Sequence, residues 1–316
     1  MPRDALSGPD RAVPADIDGI NRVFSEAFTD RYQRDGLSGV RVPLLNPAIW
    51  RFAIAAAGDG ALLWRDGSGA VAAFNMVHSS GTEGWMGPLA VRPDRQSRGL
   101  GQTIVREGIR RLEAEGARII GLETMPRTVD NIGFYSRLGF RPGHLTVSVT
   151  RNLNGTARSP AARFPSGSRA EIVAQCRGLT EWLAPGVDFS REIELTLGQD
   201  LGGMTIVSDR GAASAFALWH TAPLAEGRHA DEARVLKLAA RDIDAFRRLV
   251  PAIERDTASA GARQASLRCQ TAYTSAYEVL LDAGYMVHWT DLRMTLAGKP
   301  ELPARDGGVL FSNWEI

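Results

Sequence analysis

The chain has 316 residues, of which 44% are hydrophobic and 23% are charged, and 37 Lys and Arg against 36 Asp and Glu leave a formal net charge of +1. The composition is typical of a globular protein, and the length predicts two domains. Balanced charge argues against a partner nucleic acid bound by a broad basic surface. No stretch reaches the roughly 20 apolar residues of a membrane helix, so we expect a cytoplasmic protein with no membrane partner.

Cysteine content adds a second exclusion. The chain has two cysteines, Cys176 and Cys269, which are too few for a disulfide framework or a cysteine-ligated zinc site. We therefore expect no metal. The sequence leaves the oligomeric state open.

Hydrophobic periodicity predicts alternating helices and strands in the first half of the chain. Apolar residues recur at three- and four-residue steps in helices, whereas short apolar runs between turn residues predict strands. The predicted elements, in order, are a helix over 15–29, strands over 61–64, 70–77 and 85–91, a helix over 100–115, a strand over 118–124, a helix over 130–138 and a strand over 147–150.

The second half repeats this order of elements. Its predicted elements are strands over 204–207, 213–219 and 233–238, a helix over 243–260, a strand over 264–269 and a helix over 274–281. The tripeptide Gly-Ala-Arg begins at Gly116, 23 residues before Gly139 (139 − 116), and again at Gly261, 23 residues before Gly284 (284 − 261). The repeat favours a tandem duplication.

A glycine-bearing motif, Gln96-x-x-Gly99-x-Gly101, lies between a predicted strand and a predicted amphipathic helix. A phosphate there would meet the free N–H groups of the first helical turn and the positive end of the helix dipole. The glycines let the backbone approach an anion, and Arg95 and Arg98 add positive charge. A glycine-rich turn without a ligand is the alternative interpretation.

Two better-known phosphate loops do not fit this stretch. A Walker loop needs Gly-Lys-Ser/Thr, but Gln102-Thr103 follows Gly101. A dinucleotide fingerprint that begins at Gly99 needs a third glycine where Ile104 stands.

The segment resembles the GNAT superfamily of acyl-CoA-dependent N-acyltransferases. The residues Gln96–Gly101 are similar to the family's pyrophosphate loop, and Leu89–Val91 to the strand whose backbone binds pantetheine. The residues Phe134–Phe140 are similar to its second signature, Phe/Leu-Tyr-x-x-x-Gly-Phe. The resemblance covers about residues 11–150. It implies an α/β fold with a mixed sheet flanked by helices. In its length and tandem arrangement the whole chain resembles the two-domain members of the superfamily.

The resemblance also implies a reaction. An amine of a small-molecule acceptor would attack acetyl-CoA directly in a ternary complex, with the Val91 N–H at the oxyanion and the Tyr135 hydroxyl as acid for the departing thiolate. We predict a catalytic and coenzyme-binding domain over 1–152, a linker over 153–168 and a second domain over 169–316. The coenzyme-binding residues implied are Leu89, Val91, Gln96, Ser97, Arg98, Gly99, Gly101, Gln102, Asn131 and Tyr135.

The sequence departs from the family pattern at two positions. Thr128 stands where the family often has an asparagine seven residues before the tyrosine, although Asn131 stands four before it. Trp85 stands where a carboxylate often lies. The usual general base is therefore displaced or replaced.

Three side chains and a water chain remain as candidates for the base. Glu123 breaks an apolar strand, Glu83 shares a strand face with Trp85, and His78 follows an apolar run. Each also has a structural interpretation: a surface ion pair for Glu123, a solvated turn for Glu83 and a strand-end residue for His78. A partly buried carboxylate with a raised pKa would serve best.

The second half lacks the motif. With the offset of 145 (261 − 116), the positions of Gln96, Gly99, Gly101 and Tyr135 are taken by Arg241, Asp244, Phe246 and Leu280. We expect this copy not to bind acyl-CoA and to support the first domain or shape the acceptor site.

The sequence leaves alternatives open for both the acceptor and the activity. Acceptor specificity is expected from about Phe28–Leu45, where Asp30, Asp35, Arg31, Arg34 and Tyr32 offer both charges and a ring, although a solvated helix end is the other interpretation. The alternative functions are a non-catalytic acyl-CoA sensor or interaction module, and an acyltransferase with another donor or a thiol or hydroxyl acceptor.

Overall fold

A computed structural model describes residues 6–156 and 168–314. In the first half the helices are α1 (Ile17–Arg34), α2 (Pro47–Ala57), α3 (Leu100–Ala114) and α4 (Val129–Arg137), and the strands are β1 (Ser7–Arg11), β2 (Ala61–Arg65), β3 (Val71–Ser80), β4 (Glu83–Val91), β5 (Ile119–Thr124) and β6 (Phe140–Asn152). In the second half the helices are α5 (Arg169–Leu183), α6 (Ser190–Gly198), α7 (Ile243–Ser259) and α8 (Thr274–Asp282), and the strands are β7 (Gly202–Asp209), β8 (Ala212–His220), β9 (Glu232–Ala240), β10 (Gln264–Gln270), β11 (Met286–Leu296) and β12 (Val309–Ser312).

Every helix and strand predicted from periodicity is present. Most ends shift by three residues or fewer, but β6 begins seven residues before its predicted start (147 − 140) and α1 ends five residues after its predicted end (34 − 29). The two repeated glycines end equivalent helices, since Gly116 follows α3 at φ +81° and Gly261 follows α7 at φ +98°, a conformation that favours glycine. Six elements were not predicted: α2, α5, α6, β1, β11 and β12. The buried helix α2 is apolar on most sides, so it lacks the amphipathic period. Most of the predicted linker, residues 157–167, lies outside the described residues.

The described strands form one mixed sheet in the order β1-β2-β3-β4-β5-β11-β6-β10-β9-β8-β7, with β12 paired to β9. Strand β11 of the second half lies antiparallel between β5 and β6 of the first, while β6 pairs with β10. Each half thus inserts a strand into the other. The predicted α/β fold is confirmed, and the domain boundaries stay a prediction.

The two halves carry the same parallel strand pair. Strands β4 and β5 pair from Glu83 opposite Ile119 to Met86 opposite Leu122, and β9 and β10 pair from Glu232 opposite Gln264 onward. Beyond these four residues the strands separate in both halves. In the second half β12 pairs with β9 over residues 237–240 and fills the split; in the described part of the first half no strand fills it.

Helices cover both faces of the sheet around the open split. On one face α1 and α2 bury Ile20, Trp50 and Phe74, and on the other α3 and β5 bury Ile104 and Ile120. Packing on both faces therefore fixes the ends of β4 and β5. Among the residues described, no helix is long and apolar enough to cross a membrane.

Candidate active site

A cavity of about 440 Å³ opens at the split between β4 and β5. From the first half it is lined by Gly87–Val91 of β4, Glu123 and Thr124 of β5, and Tyr135 of α4. The second half contributes Arg268, Trp289, Asp291, Arg293, Ser312, Asn313 and Trp314. Because β11 and the segment after β12 reach this wall, both halves build the cavity.

The loop from β4 to α3 forms one side of the split. Gly99 is the N-cap of α3 at φ +81°, Ser97 has φ +62°, and no side chain caps the helix. The N–H groups of Leu100 and Gly101 precede the first acceptor of the helix, whereas the Gln102 N–H donates to the Gly99 carbonyl at 3.0 Å. Gln96 fixes the loop, because its Nε2 donates to the Val91 carbonyl at 3.0 Å. The arrangement is suited to an anion.

Gly101 lies in the first turn of α3 against the ring of Phe134. A Cβ atom at this position would lie 3.3 Å from the ring, so the surface is tight here. Arg98 is exposed, and Arg95 has its Nε 3.5 Å from an Asp94 carboxylate oxygen. Gln102 follows in the same turn. The cavity lining includes Gln96 but not Ser97, Arg98, Gly99, Gly101 or Gln102, which continue from it along the loop.

The residues predicted for the pantetheine and thiol lie together. Leu89, Val91, Asn131 and Tyr135 all line the cavity, and Asn131 Nδ2 lies 3.5 Å from Thr124 Oγ1 at the end of β5. Tyr135 is 7% exposed, and burial raises its pKa to about 12. Its phenol therefore stays protonated near neutral pH and has a proton to donate.

Glu123 lies in the cavity wall among cations. It accepts hydrogen bonds from Thr146 Oγ1, from Arg293 Nη1 at 2.8 Å and from Arg268. Burial raises the pKa of Glu123, but the two guanidinium groups outweigh it and hold this pKa below its ordinary value. Glu123 is therefore a stably ionised carboxylate.

The other two predicted base candidates do not line the cavity. Glu83 is 2% exposed and accepts a hydrogen bond from Trp85 Nε1 at 2.6 Å, which puts it behind the cavity wall. His78 is buried, its Nε2 lies 3.1 Å from the Gly87 carbonyl, and its ring stacks on Trp314. Burial lowers the pKa of His78 to about 3.

Sequence reasoning missed the cavity residues of the second half. Asp291 accepts from Arg268 Nη2 at 2.9 Å and from Trp289 Nε1 at 3.1 Å. The guanidinium of Arg293 stacks 3.8 Å over the Trp85 ring. The only local signal was polar residues alternating with apolar ones over 291–296, which does not reveal that β11 enters the other half.

The segment predicted to select the acceptor borders the cavity. Its lining residues are Phe28, Asp30, Arg31, Tyr32, Arg34 and Val42. Arg34 pairs with Asp30 at 2.8 Å, and Arg31 pairs with Asp35. Because these charges pair locally, the apolar surface that α1 adds here comes from the rings of Phe24, Phe28 and Tyr32. The Tyr32 ring lies 6.4 Å from the Trp289 ring.

Comparison with known proteins identifies part of the chain. Residues 24–140 match the family model of the acetyltransferase (GNAT) family, whereas no curated protein matches the chain. Similar solved structures include a putative acetyltransferase from Pyrococcus horikoshii (14% identity, TM-score 0.63, 99% of this chain and 95% of that one). Another is a GCN5-related N-acetyltransferase from Sphaerobacter thermophilus (17%, 0.58, 96% and 98%).

A third similar structure is the N-myristoyltransferase of Saccharomyces cerevisiae with bound myristoyl-CoA (11% identity, TM-score 0.61, 94% of this chain and 79% of that one). At these identities the structural likeness shows the fold alone. The family match supports acyl transfer from an acyl-CoA donor. The resemblance predicted from the motifs is confirmed: residues 24–140 of this chain are a GNAT acetyltransferase domain.

Proposed function

We propose that the chain is an N-acetyltransferase that moves the acetyl group of acetyl-CoA to an amine of a small-molecule acceptor by direct attack in a ternary complex. The observation that carries this proposal is the open split between β4 and β5, which lies beside the uncapped N-terminus of α3. A split strand edge offers backbone groups to a pantetheine amide, and a helix N-terminus offers N–H groups to a diphosphate.

The coenzyme is assigned to this groove from one end to the other. The diphosphate lies at Gln96–Gln102, where the N–H groups of the loop and first turn donate to it, with Arg98 at the rim. The pantetheine follows Leu89–Val91, and Asn131 contacts it from α4. This order brings the thioester to the cavity end near Tyr135.

The chemistry needs a nucleophile, an oxyanion donor and an acid. The acceptor nitrogen attacks the thioester carbonyl carbon, and the Val91 N–H donates to the oxygen as negative charge develops. As the carbon–sulfur bond breaks, the sulfur takes a proton from Tyr135. No acyl-enzyme forms.

The second half is proposed to be a duplicated copy that has lost the coenzyme. Only Arg241 and Asp242 separate β9 from α7, whereas eight residues separate β4 from α3 (92–99). Phe246 and Leu280, at the positions of Gly101 and Tyr135, are both fully buried. We also propose two domains, over 1–152 and 169–316. The proposed location of the protein is the cytoplasm.

A thiol-release assay tests the function. Acetyl-CoA is offered to the protein with spermidine, lysine, kanamycin and the tripeptide Ala-Gly-Gly, and calorimetry measures coenzyme A binding in parallel. Transfer to one of these amines is expected. Tight coenzyme binding with no transfer to any of them would favour an acyl-CoA sensor, and a faster reaction with succinyl- or malonyl-CoA would change the donor.

Replacing Tyr135 by phenylalanine separates an enzyme from a sensor. The variant removes only the hydroxyl, so the rate of transfer should fall roughly 10²-fold or more, the usual contribution of a positioned acid. Coenzyme A affinity should stay within about twofold, because the ring still packs. Stopped assays of initial rate and calorimetry check the two quantities.

Tyr277→Phe is the matched control. Tyr277 lies on α8, the second-half counterpart of α4, and does not line the cavity. Its variant should keep the full rate. If Tyr135→Phe also keeps the full rate, Tyr135 is not the acid.

A further inference from the structure

Acidic and basic side chains are concentrated around the cavity, where the two halves meet. Among the described residues, the carboxylates of this cluster are Glu83, Glu123, Glu192, Asp291 and Glu301, and its basic side chains are Lys237, Arg268 and Arg293. With every group charged, the cluster carries two more negative than positive charges (5 − 3). Uncompensated buried charge is costly, so the cluster favours the arrival of a proton or a cation.

Only two of these carboxylates line the cavity, Glu123 and Asp291. Glu123 is held by two guanidinium groups and the Thr146 hydroxyl. Asp291 has one guanidinium, that of Arg268, which it shares with Glu123, and one neutral donor, the indole of Trp289. Asp291 therefore has less positive charge around it and is the easier of the two to protonate.

The charged and titratable groups that face Asp291 come from three elements. Arg268 approaches from β10, Glu123 from β5 and the Tyr32 hydroxyl from α1. Burial raises the pKa of Asp291 above its ordinary value; Arg268 opposes the rise and Glu123 adds to it. A raised pKa makes the Asp291 carboxylate a stronger base, which is what a proton acceptor for an amine needs.

Asp291 also lies at the end of the groove where the thioester is proposed to bind. Its neighbour Leu292 is paired with Thr124, the last residue of β5, and Thr124 contacts Asn131 of α4. The split that holds the pantetheine in the proposed function runs past this strand end. The rings of Tyr32 and Trp289 lie 6.4 Å apart, and both line the same cavity as Asp291.

We propose that Asp291, carried into the first half by β11, takes the proton of the acceptor amine. The inference rests on the transferase function proposed above. An acceptor that arrives as an ammonium ion first gives one proton to the Asp291 carboxylate. The neutral nitrogen then forms its bond to the carbonyl carbon as the carbon–sulfur bond breaks, the thiolate takes the proton of Tyr135, and the nitrogen releases its second proton to solvent. Proton exchange with solvent then restores both side chains.

Asp291→Asn in the full chain tests this role, with the fastest amine among spermidine, lysine, kanamycin and Ala-Gly-Gly as acceptor. At pH 7 kcat should fall by roughly 10² or more, while calorimetry gives an unchanged Kd for coenzyme A. The loss should shrink as the pH rises toward the pKa of the amine, because a neutral amine then arrives without help. Asp291→Glu should recover part of the rate.

Asp256→Asn is the matched control. Asp256 is on α7, is similarly buried at 22% side-chain exposure against 16% for Asp291, and accepts a hydrogen bond from Thr205 at 2.8 Å, outside the cavity. It should keep the full rate and pH profile.

The outcomes separate the two proposals. A wild-type protein that acetylates an amine, beside an Asp291→Asn variant with the same rate, would overturn the role of Asp291 and leave the transferase standing. A loss in the variant that is constant from pH 6 to 10 and is not recovered by glutamate would make Asp291 a structural ion-pair residue. No turnover of any of the four amines by the wild type would overturn both.

Discussion

Gly101→Glu is expected to abolish coenzyme A binding. The new side chain would begin 3.3 Å from the Phe134 ring and bring a carboxylate to the first turn of α3, where the diphosphate is proposed to lie. Two like charges about 4 Å apart near a protein surface repel by on the order of 4 kcal/mol. A loss of that size weakens affinity more than roughly 100-fold, and calorimetry would record little or no heat.

Two controls make this result specific. Gly178 lies on the exposed side of α5, where an added Cβ meets nothing within 4 Å, so Gly178→Glu adds the same charge to a helix away from the groove. Asp244→Gly changes the residue that takes the place of Gly99 in the second half. Both should bind coenzyme A like the wild type. If Gly101→Glu binds coenzyme A with wild-type affinity, the diphosphate does not bind at α3. If Asp244→Gly changes the affinity for coenzyme A strongly, the second half takes part in coenzyme binding.

Residues 1–156 expressed alone are expected not to fold. Without the second half, β11 no longer separates β5 from β6, the apolar core around α3 loses Met294, and Glu123 loses Arg268 and Arg293. Breaking one buried ion pair costs about 3–5 kcal/mol, against roughly 5–15 kcal/mol of stability for a typical protein. Thermal unfolding followed by circular dichroism should show no cooperative transition.

Co-expression of 1–156 with 168–316 is the control. The two chains together contain every described strand, so they should co-purify and unfold cooperatively. A soluble first half that unfolds cooperatively and binds coenzyme A by itself would show that the exchanged strand is dispensable.

Much of the fold followed from local patterns. Hydrophobic periodicity predicted α1 and α3, and the helix α7 was predicted in the second half; the structure adds that Gly116 and Gly261, just after α3 and α7, have positive φ. The strand exchange did not follow, because β11 begins with the exposed residues Met286 and Val287, and nothing local specifies which sheet edge accepts it. Pairing between strands far apart in sequence is decided by tertiary packing.

The residues of the candidate site also fall into those that local sequence predicts and those that only strand pairing brings together. The groove was predicted because Gln96, Gly99 and Gly101 lie within six residues and their effect is local. Asp291 was missed because it meets Arg268 and the end of β5 only after β11 crosses into the other half. Glu123 was predicted as a base, and its sequence position gives no sign that Arg268 and Arg293 would surround it.

The strand β12 bears on how many coenzyme molecules a chain takes up. It is hydrogen-bonded along residues 237–240 of β9, and the side chain of Asn313 just beyond it is bonded to Gln270 of β10. The split between β9 and β10, which corresponds to the proposed coenzyme groove of the first half, is thus occupied by the protein's own backbone. A titration of the intact protein should therefore saturate at a single equivalent of coenzyme A. An inhibitor that mimics the coenzyme should likewise bind at one site per chain.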